Sequence, residues 1–204
     1  MDFADKVLAD LTTRIRDLER QIESHVAERR AWFGYVVERN RVRFGFHIRE
    51  KHRGFRLGLW TQISQSPLRF ILVSPLIYSL IVPLALLDLF LVVYQAICFR
   101  VYGISRVPRD DFIVIDRHYL TYLNPLEKLN CIYCGYANGL IAYAREIGAR
   151  TEEYWCPIKH SRPIAKPHSR YVNFADYGDA EGYRQRQEDL RRHACEPDEP
   201  PSAV

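Results

Sequence analysis

Net charge of either sign is small in this chain: 29 Lys and Arg against 25 Asp and Glu leave +4 over 204 residues. A protein that grips nucleic acid along its phosphates carries a larger basic excess, so no nucleic-acid partner is expected. The short signatures of common chemistries are missing too. There is no H-E-x-x-H, no G-x-S-x-G, no phosphate-cradling P-loop and no dinucleotide fingerprint. No internal repeat at a solenoid period occurs. The cysteines (Cys98, Cys131, Cys134, Cys156 and Cys195) are odd in number and hold one C-x2-C. That argues against a secreted disulfide framework and for metal or thiol chemistry in a reducing compartment. Mean hydropathy is −0.25, the value of a soluble protein. The apolar residues are concentrated rather than spread.

They concentrate in Phe70–Phe99, bracketed by Arg69 and Arg100, with Asp88 as the only formal charge. A helix spans the hydrocarbon core of a bilayer with about 20 apolar residues, and this run exceeds that length. It starts too deep in the chain to be a signal peptide. Pro75 and Pro83 predict a kinked helix or, if Pro83 breaks it, a re-entrant hairpin of two arms. Asp88 is costly there unless it meets water, a partner or protein. It reads either as a proton or ion site or as a residue facing the hairpin partner or the membrane interface.

Before the run, Phe3 to about Val37 is helical in pattern. Leu8, Leu11, Ile15, Leu18, Ile22 and Val26 form one apolar stripe on an otherwise charged helix. Such a stripe fits either a short coiled coil that makes a homodimer or packing on the chain's own domain. From 39 to 69 the residues Arg39, Arg41, Arg43, Arg49, Lys51, Arg53, Arg56 and Arg69 face only Glu50, with Phe44, Phe46, Phe55 and Trp60 interleaved. Next to a membrane segment this reads as an interfacial stretch meeting anionic headgroups. It places the amino-terminal side in the cytoplasm. A single crossing would then put the cysteines outside, in an oxidising space, whereas a hairpin keeps them inside.

After the run, Asp111–Asp116 reads as a short strand, and Asn124-Pro125 as a helix cap and first turn. Gly135–Arg150 reads as a helix, Cys156–Tyr177 as an irregular arm, and 181–204 as a charged, disordered tail. The chemistry-bearing residues are Cys131-Ile-Tyr-Cys134 and Cys156-Pro-Ile-Lys-His160. A tight C-x2-C turn aims two thiolates at one metal, and Cys156 with His160 completes a tetrahedral Cys3His set, most often zinc. Iron, a dithiol redox pair or plain apolar burial remain alternatives for the same cysteines. Glu146, Glu152 or Glu153 beside an open coordination position would favour metal-dependent hydrolysis. His160-Ser-Arg162 is echoed by His168-Ser-Arg170. Lys159, Arg162, Lys166, His168 and Arg170 therefore form a candidate site for a phosphate or lipid headgroup.

Asn130-Cys-Ile-Tyr-Cys-Gly-Tyr-Ala-Asn-Gly-Leu140, followed by Tyr154-Trp-Cys-Pro-Ile-Lys-His160, resembles an uncharacterised family of bacterial membrane-anchored proteins. The similarity runs from the apolar segment through about Tyr177. It implies a bacterial source and carries no activity. The expected architecture is a mainly α membrane protein in five parts. These are an amphipathic or coiled-coil helix at 1–38, a basic interfacial segment at 39–69 and a kinked or re-entrant membrane segment at 70–99. A small α+β Cys/His domain at 100–180 and the tail at 181–204 complete it. The expected function is a zinc-binding scaffold or adaptor at the bacterial inner membrane with its soluble parts in the cytoplasm. A membrane-associated enzyme, using thiol redox at Cys131/Cys134 or metal hydrolysis, is the alternative.

Overall fold

Helices dominate, as the periodicity predicts. The computed structural model describes residues 2–38 and 41–195, with side chains described at 13–37 and 42–195. Two compact units emerge, one from the chain up to Leu57 together with Tyr119–Leu123, the other from Gly58–His118 and the chain from Asn124.

In the first unit α1 spans Asp2–Trp32. It stops short of the expected Val37 because Gly34 takes φ +61, a conformation that glycine adopts without strain. A Cβ there would also collide with Ile48. The chain then forms an antiparallel hairpin, β1 Tyr35–Glu38 and β2 Arg41–Phe44, with Tyr35 opposite Phe44 and Val37 opposite Val42. The basic segment is therefore part strand and part helix: β2 is followed by α2, Phe46–Gly54. The Phe44, His52 and Tyr122 rings pack edge-on in series at 5.4 Å between centroids. Ile15, Leu18 and Ile22 on α1 are each more than half exposed, so their stripe is uncovered.

The second unit opens with α3, Leu59–Gln65, and then α4, Leu68–Tyr102, a continuous helical run of 35 residues. The expected hairpin is not formed. At Leu80 the chain tightens for one turn, with Leu80 N–H donating to Ile77 O at 3.3 Å, while its φ −63° and ψ −13° stay helical. Pro83 removes one donor and loosens the helix without reversing it. A π-helical turn at Gln95–Phe99 follows, and Gly103 at φ +73 ends the helix.

The chain returns along α4 as an extended segment, 104–116, interrupted by a 3-10 turn at Arg109–Asp111. The strand expected at Asp111–Asp116 is absent because no neighbour offers a ladder. Ile113 instead inserts into the core, and the backbone presses on Gly139, where a Cβ would lie 2.9 Å from the Ile113 Cα.

Helix α5 then runs unbroken over Pro125–Trp155. Asn124 and Glu127 close a reciprocal capping box, Glu127 N–H donating to Asn124 Oδ1 at 3.0 Å and Asn124 N–H to Glu127 Oε2 at 2.8 Å. Leu140, Tyr143 and Ile147 of α5 pack with Phe99, Ile104, Val107 and Ile113 to make the core. Burying Leu140 and Ile147 contributes about 2 kcal/mol each by area. An arm, 156–182, folds back, held by Ala175 N–H donating to Pro157 O and Lys159 N–H to Ala175 O, both 2.8 Å. Part of the expected disordered tail is ordered: α6, Tyr183–Cys195, buries Gln187, Leu190 and Ala194. Gln187 Nε2 and Arg191 Nε donate to Trp155 O and Tyr154 O, each at 2.9 Å, so α6 satisfies carbonyls at the end of α5.

Candidate functional site

Two polar clusters lie along α4 and α5. The first is built on Asp88, which α4 turns towards the returning segment. Arg109 grips its carboxylate with both arms, Nε to Oδ1 at 3.2 Å and Nη2 to Oδ2 at 2.6 Å. The Tyr136 hydroxyl donates to Oδ2 at 3.0 Å. Fork-to-fork pairing of this kind is both strong and directional. The Asp88 side chain keeps 14% of its surface and Arg109 keeps 41%. Two turns further along, Gln95 accepts from Val107 N–H at 2.8 Å and donates to the Tyr143 hydroxyl. The polar groups that α4 presents here thus find partners on the return segment and on α5. Asp88 faces protein, the second of the two readings of this residue, although its partner is the return segment rather than a second hairpin arm.

The second cluster sits where the arm crosses α5. Glu146, Arg150 and Glu153 share one face at i, i+4 and i+7. Arg150 Nε donates to Glu146 Oε1 at 3.0 Å. From the arm, Arg170 bridges the two acids, Nε to Glu146 at 3.2 Å and Nη1 to Glu153 at 2.7 Å. Glu153 is fully buried, and its second oxygen faces His193 of α6 at 3.7 Å. His168 Nε2 reaches Glu152 at 3.1 Å. An unpaired ion in such a place is costly, so these pairs fix the arm in one position. Sequence reasoning noted Glu146, Glu152 and Glu153 only as metal neighbours. The spacing E-x3-R-x2-E was the visible signal that they form one charged face.

The four expected zinc ligands are not brought together. Cys131 and Cys134 sit in the first third of α5, half-buried and exposed respectively. Cys156 caps its far end and is exposed. The continuous helix between Cys134 and Cys156, 21 intervening residues, places them about 33 Å apart at 1.5 Å per step. The knuckle expected at 131–134 is not a turn, because the capping box at Asn124 starts the helix one turn and more before it. His160 stacks on Tyr171, its backbone N–H donating to the Tyr171 hydroxyl at 2.6 Å. Among the described residues no group of three or more His, Cys, Asp or Glu could hold a metal ion. A zinc or iron centre on Cys131, Cys134, Cys156 and His160 would require α5 to break.

The expected anion site is likewise dispersed. Three of its five cations are already engaged by acids: Lys159 with Asp176 at 2.8 Å, His168 with Glu152 and Arg170 with Glu146 and Glu153. The hydrogen bond from Lys159 holds the exposed Asp176 carboxyl below its ordinary value, with the ammonium charge adding to it. Lys166 is exposed at φ +53, its carbonyl accepting from Arg145. Arg162 is exposed on an open hollow of about 340 Å³ that Ile158, His160, Ile164 and Tyr177 also line. The arm is a braced structural element with one cationic tip, not a cradle of convergent cations. No family model, no curated protein and no solved structure matches this chain.

Proposed function

We propose that the protein is a membrane-anchored scaffold or adaptor, held by α4 at the inner membrane of a bacterium and working on its cytoplasmic side. One observation carries this reading. Over 35 residues α4 has a window of mean hydropathy 2.5, and none of that window is buried by the rest of the chain. A contiguous apolar surface of this length is not sustained in water, and lipid is the solvent that suits it. The basic residues between 39 and 69 lead into it and meet anionic headgroups at about 1 kcal/mol each, subject to salt screening. The bacterial assignment rests on the resemblance of the 130–160 motifs alone.

The polar clusters support a scaffold more than an enzyme. Their charges are matched, Arg109 to Asp88 and Arg150 and Arg170 to Glu146 and Glu153, and hold the return segment and the arm, whereas an active site keeps a group poised for substrate. Zinc is not part of this reading, because its four expected ligands are strung along and beyond one helix.

A second copy of the chain fits α1. With Ile15 and Ile22 at the a positions and Leu11 and Leu18 at d, the pattern is that of parallel two-stranded coils. Arg14 and Glu19 then fall at g and the following e, an attractive pair between copies. Fractionation tests the anchor. The full chain should remain in the membrane pellet after a high-salt and alkaline carbonate wash, whereas a variant lacking 70–99 should be released by salt. Recovery of the intact chain in the wash would end the proposal.

A further inference from the structure

Resting on the proposal that α4 meets lipid, we infer that it lies in the plane of the membrane, immersed in one leaflet, instead of crossing both. The first ground is the pattern of cover along the helix. Tyr78, Leu84, Asp88, Gln95, Phe99 and Tyr102 are among the positions the rest of the unit shields, and they recur at helical spacing on a single stripe. Nearly every polar side chain of the apolar run lies on that stripe; Ser79 is the exception, and it bonds back to Leu76 O at 2.7 Å. The opposite side is the most exposed, with Leu72 at 71%, Leu76 at 70%, Phe90 at 69% and Val101 at 74%. The helix therefore offers lipid a broad flank and keeps one narrow edge for the protein.

The second ground is what covers that edge. Helix α5 runs parallel to α4, as three contacts show in order: Tyr78 to Asn130, Asp88 to Tyr136 and Gln95 to Tyr143. Tyr94 meets Thr151 further along α5 at 3.1 Å. The Glu146–Arg150–Glu153 face with Arg170 stands further on, at the end of α4, where Arg150 Nη1 donates to Ser105 O at 2.7 Å. Exposed Asp110 and Asp111 follow Arg109 at the level of Asp88, near its middle. In a crossing helix Asp110, Asp111 and the return segment beside Asp88 would lie at hydrocarbon depth, where ionised side chains are strongly disfavoured and backbone outside helices is excluded unless protein or water surrounds it. Lying in the plane removes the conflict. The apolar flank enters the leaflet, while the stripe, the return segment, α5 and the arm face water on one side.

This placement also removes the tension between the basic flank and the cysteines. Both ends of α4 stay on one face of the membrane, so the thiols remain with the reducing pool without a hairpin.

The test measures depth at three points along the lipid-facing flank. Leu76→Trp, Phe90→Trp and Val101→Trp are made singly in the full chain with Trp32, Trp60 and Trp155 replaced by Phe. The outer two positions are about 37 Å apart along the axis. Each protein is reconstituted into phosphatidylethanolamine–phosphatidylglycerol vesicles whose acyl chains carry bromine at defined carbons. An in-plane helix gives the same depth of strongest quenching at all three positions. A crossing helix gives shallow quenching at one or both outer positions and deep quenching between them, which overturns the inference while leaving the anchor intact. Protease protection of tags at both ends, in inverted vesicles carrying the chain with its natural tryptophans, is the second reading. Tags digested together agree with the in-plane helix, and tags digested from opposite faces refute it. Failure of the chain to float with vesicles would instead refute the membrane anchor, and this inference with it.

Discussion

Replacing Arg109 by Ala leaves the Asp88 carboxylate facing an apolar helix and a single remaining donor, the Tyr136 hydroxyl. Removing one partner of a buried pair costs about 3–5 kcal/mol because the other charge is left uncompensated. Here Asp88 is well shielded but Arg109 is two-fifths exposed, so water repays part of the loss, and about 2–3 kcal/mol is expected. For a chain of this size that lowers the melting temperature by roughly 5–10 °C. The assay is thermal unfolding of the full chain in detergent, followed by helical circular dichroism. A second variant carries Asp88→Leu with Arg109→Met, which removes both charges and keeps the volume. It should melt within a few degrees of the unchanged protein, since apolar replacement of a buried pair is commonly neutral or better. If Arg109→Ala melts unchanged, the pair is surface decoration. If the double variant is as weak as the single one, the loss comes from the return segment's packing and the electrostatic argument fails.

Glu153→Gln keeps shape and removes the charge that Arg170 and His193 face; it should cost about 1–3 kcal/mol and render the arm, 156–182, sensitive to limited proteolysis before α5 is. An arm as protected as before would show that Glu146 alone holds it. Leu18→Glu on the exposed stripe of α1 should leave the melting temperature unchanged and convert a dimer to a monomer in sedimentation of the detergent-solubilised chain. Arg14→Glu should weaken that dimer roughly tenfold and the exchange of both charges, Arg14→Glu with Glu19→Arg, should restore it. A dimer indifferent to all three has its interface elsewhere. Cys131→Ser and Cys134→Ser, on a helix held by its cap and core, should each change stability by less than about 1 kcal/mol and leave the metal content of the purified protein unaltered. A large loss of stability with loss of a bound metal would show that α5 does break to close a site.

Local signals reported the fold well wherever local chemistry decides it. Asn124-Pro125 with Glu127 three positions on from Asn124 specifies a helix start through hydrogen bonds made within one turn, and the cap stands where those residues put it. The length and apolarity of α4 were equally legible, because a long unbroken apolar run needs no partner to be recognised. The readings that failed needed information from across the chain. C-x2-C suggests a metal knuckle only if the backbone turns between the thiols, and nothing in Cys131–Cys134 shows that the cap at Asn124 carries a helix straight through it. Pro83 permits a reversal, yet whether the chain reverses depends on Arg109 and Tyr136 arriving to hold Asp88 against an unbroken α4. Asp111–Asp116 has strand composition, but a strand exists only with a neighbour, and the surface offered was a helix with glycine at 139. The E-x3-R-x2-E face was visible in principle as three charges on one side of a helix. Its meaning was hidden because the balancing Arg170 lies 17 residues beyond Glu153 and is delivered by a bend in the arm. The in-plane character of α4 lies furthest from the sequence. Hydropathy records how apolar a helix is but not what lies along its one polar edge, and it is that charged edge which sets how deep the helix can sit.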